Sequence, residues 1–150
     1  MKGRRPGVPS GHIRSRREGI AKLRAAIGKV YFEGISVRGH CIGIQARAWR
    51  LPAQAANYNY ALDAARAVQA AGKMRSAGKP PRGALVWWST GSARYPGHVA
   101  TVVGARRKHV IGNVGSTIQV VPLTYFSAFD YLGWCYPGDV PGWVPGGNPK

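Results

Sequence analysis

The sequence predicts an α+β fold in which helices come first along the chain and a series of strands follows. Apolar residues recur at helical spacing in three segments between residues 15 and 71, whereas from Pro80 onward short β-rich segments alternate with Gly, Pro or Ser. The 150 residues suit one domain with one core, and 21 Gly plus 11 Pro stay below the share typical of low-complexity disorder. We therefore expect N-terminal helices packed on a central antiparallel sheet of about five strands.

The chain begins with a segment of different composition. Residues 1–14 combine Gly, Pro and Arg with little apolar content, which predicts a disordered basic arm. Residues 15–150 then form a single domain.

Two residues predict where the first helix begins. Ser15 and Glu18 have the spacing of a capping box, in which each side chain satisfies the other's free backbone amide. Ile20, Leu23 and Ile27 form the apolar face of this helix, and Gly28 is a suitable end for it.

A second helix is predicted from Cys41 to Arg50, because Pro52 forces the preceding residue out of helical geometry. A third spans Ala61 to Ala71, and Gly72 is a suitable end for it. The five predicted strands are Ala84 to Trp88, His98 to Val103, His109 to Gly112, Thr117 to Val121 and Tyr131 to Cys135.

Positive charge dominates the composition. The chain has 22 Lys and Arg against 5 Asp and Glu, for a formal net charge of +17. Such a surplus predicts a polyanionic neighbour, whether nucleic acid, anionic lipid or a cell-wall polymer, and does not choose among them.

Other features exclude several classes of protein. No apolar run approaches the roughly 18 residues of a membrane span, and no apolar signal segment follows the basic N-terminus. Two cysteines, Cys41 and Cys135, allow at most one disulfide, and the four histidines match no zinc-ligand spacing. We therefore expect no metal and no other cofactor. The five carboxylates share no motif, which argues against a glycosidase.

Cys41 is the first candidate for chemistry. It follows Arg38-Gly39-His40 and opens the predicted second helix, so its thiol is expected at a helix N-terminus. The amides and dipole there, together with a cationic partner, lower a thiol pKa from about 8.5 into the range of about 3.5 to 7.5. We predict an ionised nucleophile at Cys41, with a small core residue as the alternative interpretation.

The predicted partner is His98. It begins a strand directly after Tyr95-Pro96-Gly97, so a tight turn would direct it from the sheet edge toward the start of the helix. Cys41 and His98 would then meet as nucleophile and general base. The alternative is a histidine that only bonds to a neighbouring carbonyl.

Asn113 is the candidate third residue. If Ala105 and Arg106 form a two-residue hairpin loop, His98 faces Asn113 with Cβ atoms about 4.5 to 5.5 Å apart. A three-residue loop would place Asn113 diagonally from His98. Asn113 is preferred over His109 as the third residue, because His109 lies four residues from Asn113, about 13 Å along the strand. The segment around Asn113 is also typical of an ordinary turn.

Three segments together resemble a known family. They are GHCIGI at residues 39–44, PPRGALVWW at 80–88 and GHVATVVG at 97–104, followed by a closing YLGW at 131–134. In this order they resemble the NlpC-type cell-wall cysteine peptidases, relatives of the CHAP amidohydrolases, and especially the lysin domains of actinobacterial phages. The resemblance covers roughly residues 20 to 136 and implies a papain-like fold.

The resemblance also implies roles for the candidate residues. Cys41 would be the nucleophile, His98 the base and Asn113 the orienting residue in the hydrolysis of a peptidoglycan amide. We predict that Trp87, Trp88 and Tyr95 line the cleft, although strand alternation sends the two tryptophans to opposite faces. Cys135 is expected to be structural, and a disulfide to Cys41 is the disfavoured alternative.

Partners and location follow from the same resemblance. The expected partners are bacterial peptidoglycan and anionic wall polymers, with no specific nucleic acid, and the protein is expected to be a monomer. We expect synthesis in the host cytoplasm without a signal peptide, and action at the wall after release or from a virion.

Two other classes remain open from the sequence. A nucleic-acid-binding module would use the N-terminal arginines and the Arg106-Arg107-Lys108 turn, but it leaves the contexts of Cys41 and His98 unexplained. An inactive fold used for wall binding or for virion structure is the third.

Overall fold

The secondary structure follows the order that the sequence predicts. The computed structural model describes residues 12–144. The elements of the first half are β1 (His12–Ile13), α1 (Arg16–Arg24), β2 (Tyr31–Phe32), β3 (Ile35–Ser36), α2 (Cys41–Trp49), β4 (Arg50–Leu51) and α3 (Ala61–Ala70). The second half contains β5 (Leu85–Ser89), β6 (His98–Val103), β7 (His109–Val114), β8 (Thr117–Pro122) and β9 (Asp130–Cys135). Short 3-10 helices lie at Leu123–Phe126 and Pro137–Asp139.

Strands β5 to β9 form one antiparallel sheet. Their order is β8-β7-β6-β5-β9, so four consecutive strands run as a meander and the last returns beside the first. The predicted α+β class and the five-stranded antiparallel sheet are therefore confirmed.

The start of α1 has the predicted cap. The backbone amide of Glu18 donates to Ser15 Oγ over 3.2 Å, and the amide of Ser15 donates to the Glu18 carboxylate over 3.2 Å. The helix ends at Arg24, short of the predicted stop at Gly28, which adopts a positive φ of 84° three residues beyond the C-cap. The capping signal located the beginning of this helix better than Gly28 located its end.

The sheet has apolar packing on both faces. Helix α2 packs on one face, where Ile44, Trp49 and Leu85 are among its fully or almost fully buried residues. A second cluster on the opposite face includes Val86, Trp88 and Phe126. Because successive strand residues alternate between faces, Trp87 joins the first cluster and Trp88 the second, as predicted.

A buried polar network fixes α2 on the sheet. Trp49 Nε1 donates to Thr101 Oγ1 over 3.0 Å, and the same hydroxyl donates to the side-chain oxygen of Gln45. Gln45 Nε2 in turn donates to the carbonyl of Ile111 over 3.1 Å. All three polar side chains are at most 1% exposed, so these bonds specify the position of α2 along β6 and β7.

The boundary of the predicted arm differs in the structure. Residues 1–11 lie outside the described residues, but His12 and Ile13 form β1 and pair with β4. The amide of Arg14 donates to the carbonyl of Trp49 over 2.8 Å. Residues 12–14, which we assigned to the arm, are thus paired with the main domain, because the extended segment after α2 offers backbone groups to pair with. Strands of two residues are too short to show an alternating pattern.

Within residues 12–144, no helix is long and apolar enough to cross a membrane.

We predict that Thr101→Val destabilises the protein by about 2 kcal/mol or more, because it leaves Trp49 Nε1 and the Gln45 oxygen buried without a partner. Urea unfolding of wild type and variant measures the difference. The control is Thr124→Val, the same change at an exposed position, which should stay within about 0.5 kcal/mol of wild type. Equal stabilities for the two variants would contradict the assigned role of the network.

Candidate active site

Cys41 is the first residue of α2, as the sequence predicts. The preceding residue, His40, is the N-cap but makes no side-chain capping bond, and its Nδ1 lies 2.7 Å from the carbonyl oxygen of Ser36. The Cys41 Sγ lies 4.0 Å from the carbonyl oxygen of Gly97. The thiol therefore sits beside the residue that immediately precedes His98.

Two opposing effects act on the Cys41 thiol. Burial raises its pKa, whereas the backbone amides of Val99, Ile42 and Cys41 lower it, and burial prevails, giving a pKa of about 11. The predicted ionised thiol is thus wrong for this structure. The amides at the helix start are placed as expected, but they do not compensate for the loss of water around the sulfur.

His98 is the first residue of β6 and packs among aromatic rings. It lies opposite Trp88 in the sheet register, and its ring centroid is 4.4 Å from that of Phe126 and 6.4 Å from that of Phe129. Burial lowers the pKa of His98 to about 4, so the imidazole is neutral at pH 7. It cannot supply the positive charge that the predicted thiolate required.

Cys41 and His98 approach the sheet from different sides. Cys41 packs with the cluster under α2, whereas the His98 ring contacts Trp88 and Phe126 of the opposite cluster. In the described part of the chain no hydrogen bond joins them, and His98 Nε2 is buried without a partner. Cys41 therefore lies beside the residue that precedes His98, and the imidazole packs against the aromatic rings of the second cluster.

Asn113 lies diagonally from His98. The β6–β7 register pairs Thr101 with Ile111, so the hairpin loop has three residues, and Arg107 within it takes a left-handed φ of 57°. Of the two loop lengths considered from the sequence, the three-residue loop is the one that forms. Asn113 Nδ2 donates to the carbonyl of Val37 over 3.4 Å, so its amide does not orient the imidazole as predicted. Its Oδ1 is buried and has no partner among the described residues.

One open cavity nevertheless contains all three predicted catalytic residues. It has a volume of about 600 Å³, and Cys41, His98 and Asn113 line it together with the predicted Tyr95. Cys41, His98 and Asn113 are each 9% exposed, so each reaches the cavity with a small part of its surface. We call this cavity the cleft.

The glycine before His98 shapes the cleft. Gly97 has a positive φ of 82°, and a Cβ at this position would lie 2.3 Å from the backbone nitrogen of Leu62 in α3. The chain can therefore turn tightly against α3 and present Gly97 and His98 to the start of α2. A larger residue would have to displace helix backbone.

The two tryptophans do not line the cleft. Trp87 is fully buried, and its Nε1 donates to Cys135 Sγ over 3.3 Å. Trp88 is 3% exposed and packs beside the His98 ring in the second apolar cluster. Both were predicted to bind substrate, but their neighbours make them core residues.

The second cysteine has a structural environment. Cys41 and Cys135 are both free thiols, so the disfavoured disulfide between them is absent. Burial raises the pKa of Cys135 to about 12, which leaves it a neutral acceptor for the Trp87 indole.

The sequence did not identify several residues that line the cleft. They are Arg38, Thr90, Ser92, Tyr125, Phe126, Ala128 and Phe129, with Val114 and Gly115 at the end of β7. Arg38 is the only Lys, Arg, Asp or Glu among the lining residues. The sequence could have indicated a turn before Tyr95, because Thr and Ser are typical turn residues. In the structure the Thr90 and Ser92 hydroxyls bond to the backbone of Tyr95. The aromatic side of the cleft, formed by Tyr125, Phe126 and Phe129, had no such signal in the sequence, because the 3-10 helix Leu123–Phe126 is too short to show a periodic pattern.

Among the described residues, no group of three or more His, Cys, Asp or Glu is placed to hold a metal ion.

Comparison of the chain with protein-family models and with curated proteins yields no match. The resemblance to NlpC-type peptidases, and the papain-like fold that it implies, therefore remain predictions that rest on the motifs quoted above.

Proposed function

We propose that the protein is a cysteine hydrolase that cleaves an amide bond in peptidoglycan, with Cys41 as the nucleophile and His98 as the base. The observation that supports the proposal is the cleft, where a thiol at a helix start, an imidazole and a carboxamide from three parts of the chain line one open cavity. Independent core residues have no reason to share such a cavity. The motif resemblance adds the substrate class.

The unpartnered polar atoms favour a ligand in the cleft. Buried polar groups almost always have hydrogen-bond partners, and exceptions indicate a functional role or a missing ligand. Here His98 Nε2 and Asn113 Oδ1 both lack a partner among the described residues, and both residues line the cleft. A bound amide offers a donor and an acceptor for such groups.

The pKa values determine the form of the mechanism. With the thiol pKa at about 11 and the imidazole pKa at about 4, both groups are neutral at pH 7. The Cys41 proton then passes to His98 as Sγ attacks the carbonyl carbon, which is general-base catalysis and does not require a preformed ion pair. His98 returns the proton to the departing amine, and water hydrolyses the thioester.

The His98 side chain has a nitrogen available for this role. Its Nε2 makes no hydrogen bond to the described residues, and His98 and Cys41 line the same cleft. The backbone amide of Cys41 is the candidate donor for the oxyanion, since it lies at the start of α2 where no side chain caps the helix.

Arg38 indicates which part of the substrate is recognised. It is exposed, it lies three residues before the nucleophile, and no carboxylate lines the cleft to neutralise it. A guanidinium in this position favours a substrate with a carboxylate near the scissile amide. The stem peptides of peptidoglycan contain such groups.

We predict that Cys41→Ala lowers the release of amino groups from purified peptidoglycan by at least about 10³-fold, because the nucleophile is removed. Cys135→Ser is the matched control, since serine keeps an acceptor for Trp87 Nε1, and it should retain activity. Equal release by wild type and Cys41→Ala would exclude Cys41 from the chemistry. Lack of cleavage by the wild type as well would favour the inactive wall-binding or virion domain.

We predict that the buried His98 makes the fold sensitive to acid. Its pKa is 6.5 in the unfolded chain and about 4 in the folded one, so only the unfolded chain binds this proton between those values. Stability is therefore fully present above pH 6.5 and falls as the pH decreases toward 4, by about 3 kcal/mol in all. Urea unfolding at pH 7, 5.5 and 4 measures the fall.

His98→Gln should remove most of this pH dependence, whereas the control His109→Gln, at an exposed position, should keep it. The same pH dependence in wild type and His98→Gln would refute the buried neutral imidazole.

We predict that Arg38→Gln reduces the preference of the enzyme for acidic substrates. The measurement compares kcat/KM for two stem peptides that differ only in a carboxylate or a carboxamide beside the scissile bond. The wild type should prefer the carboxylate by about tenfold, equivalent to about 1.4 kcal/mol, and the variant should lose that preference while still cleaving the amide peptide. An unchanged preference in the variant would exclude Arg38 from substrate recognition.

A further inference from the structure

A second surface of the protein has a distinct chemistry from the cleft. Three cavities of about 600, 740 and 310 Å³ adjoin one another around α1 and the β6–β7 turn. The first and second share Ser15, Arg16 and Arg82, and the second and third share Gly104. They are therefore neighbours on one surface, and we call the surface that their lining residues form the arginine strip.

The lining of the strip is strongly basic. It includes eight lysines and arginines and neither Asp nor Glu: Arg14, Arg16, Arg17, Arg24, Arg82, Arg106, Arg107 and Lys108. Two carboxylates border the strip without lining it: Glu18 accepts from Ser15, and Asp139 pairs with Arg75 and accepts from the amide of Tyr136. Eight cations against these two bordering carboxylates leave the strip with a large positive excess.

One arginine of the strip has a buried donor. Arg14 Nε is inaccessible to solvent and has no partner among the described residues, and Arg14 lines the first cavity. A buried guanidinium N–H without an acceptor is costly, and an anionic oxygen is the acceptor that it fits best. This unpaired donor adds to the positive charge along the first cavity.

We infer that the arginine strip binds a linear phosphate polymer of the bacterial cell wall, such as a chain of glycerol phosphate units. Guanidinium groups match phosphate geometry through paired N–H donors, and a row of them suits an anion that repeats along a chain. The choice of a cell-wall polymer rests on the proposed function, whereas the binding of phosphate does not rest on the chemistry of Cys41.

The strip is poorly equipped for nucleic acid. Proteins that bind single strands combine a basic groove with aromatic rings on which bases stack. Of the two Trp and Tyr residues in the strip, Trp49 is 1% exposed. Tyr136 is 41% exposed, and its ring also contacts Trp134 and the Arg75 guanidinium. The strip also has no Asn or Gln in its lining to read base edges. The lining thus offers eight cations for phosphates and a single exposed Trp or Tyr ring for bases.

The strip and the cleft lie at opposite ends of the same elements. Strand β6 runs from His98 in the cleft to Val103 at the strip, a distance of about 17 Å. Helix α2 runs from Cys41 in the cleft to Trp49 in the strip, a distance of about 12 Å. The two sites share no lining residue, so a wall polymer in the strip leaves the cleft open.

The test uses the full chain and measures binding without any cleavage. The probe is a fluorescently labelled glycerol phosphate polymer of defined length, titrated by fluorescence polarisation at several salt concentrations. An oligothymidylate with the same number of phosphates is the second probe. The strip variant combines Arg17→Gln, Arg82→Gln and Arg106→Gln, and its matched control combines Lys29→Gln, Arg66→Gln and Lys79→Gln, all at exposed positions.

The strip variant should bind the glycerol phosphate polymer more weakly, and the slope of log K against log salt should decrease in magnitude by about 2 to 3. The control removes the same charge and should keep most of the slope. Equal losses in the two variants would refute the strip, since bulk charge would then explain binding. Tighter binding of the oligothymidylate, lost in the strip variant, would assign the surface to nucleic acid and overturn the inference.

The result is independent of the proposed hydrolase. Cys41→Ala should bind the polymer as the wild type does, whether or not the wild type cleaves peptidoglycan. Circular dichroism of both triple variants verifies that they fold, so that a loss of binding reports on the surface itself.

Discussion

The packing of α2 across the sheet is the constraint on which both surfaces depend. A helix with seven buried residues crosses β6 and β7, and the shared hydroxyl of Thr101 ties Trp49 and Gln45 to those strands. A buried hydrogen-bond network of this kind allows one position of the helix and excludes neighbouring ones. Its N-terminus therefore lies at the cleft and its C-terminal turn at the arginine strip. Neither surface is a local property of a loop.

The cleft shows how desolvation competes with helix electrostatics. The amides at the start of α2 favour a thiolate at Cys41, yet the apolar surroundings that hold α2 in place raise the thiol pKa more than the amides lower it. The same packing removes water from His98 and keeps it neutral. Burial is thus the dominant influence on both candidate catalytic groups, and it favours a mechanism in which charge develops only during the reaction.

The cationic side chains of the arginine strip lie apart from the candidate catalytic residues of the cleft. Of the Lys, Arg, Asp and Glu residues, the cleft lining contains only Arg38, whereas the strip lining contains eight cations. Under the proposed function this arrangement is useful, because a polyanion held at the far end of β6 concentrates the protein on a wall without occupying the site of hydrolysis. A basic cleft would instead hold the polymer where the peptide must bind.

The sequence by itself determined the order of helices and strands, the cap of α1, the start of α2 at Cys41 and the position of His98 at the head of a strand. These features depend on neighbouring residues through capping, periodicity and turns, so a local pattern records them. Tertiary structure decided which way the groups face. The three-residue loop with Arg107 in a left-handed conformation moved Asn113 from opposite His98 to its diagonal, and no pattern distinguished that loop from a two-residue one. The pKa values of Cys41 and His98, the burial of Trp87 and Trp88, and the joining of distant arginines into one strip all depend on contacts between segments far apart in the chain, which local periodicity does not encode.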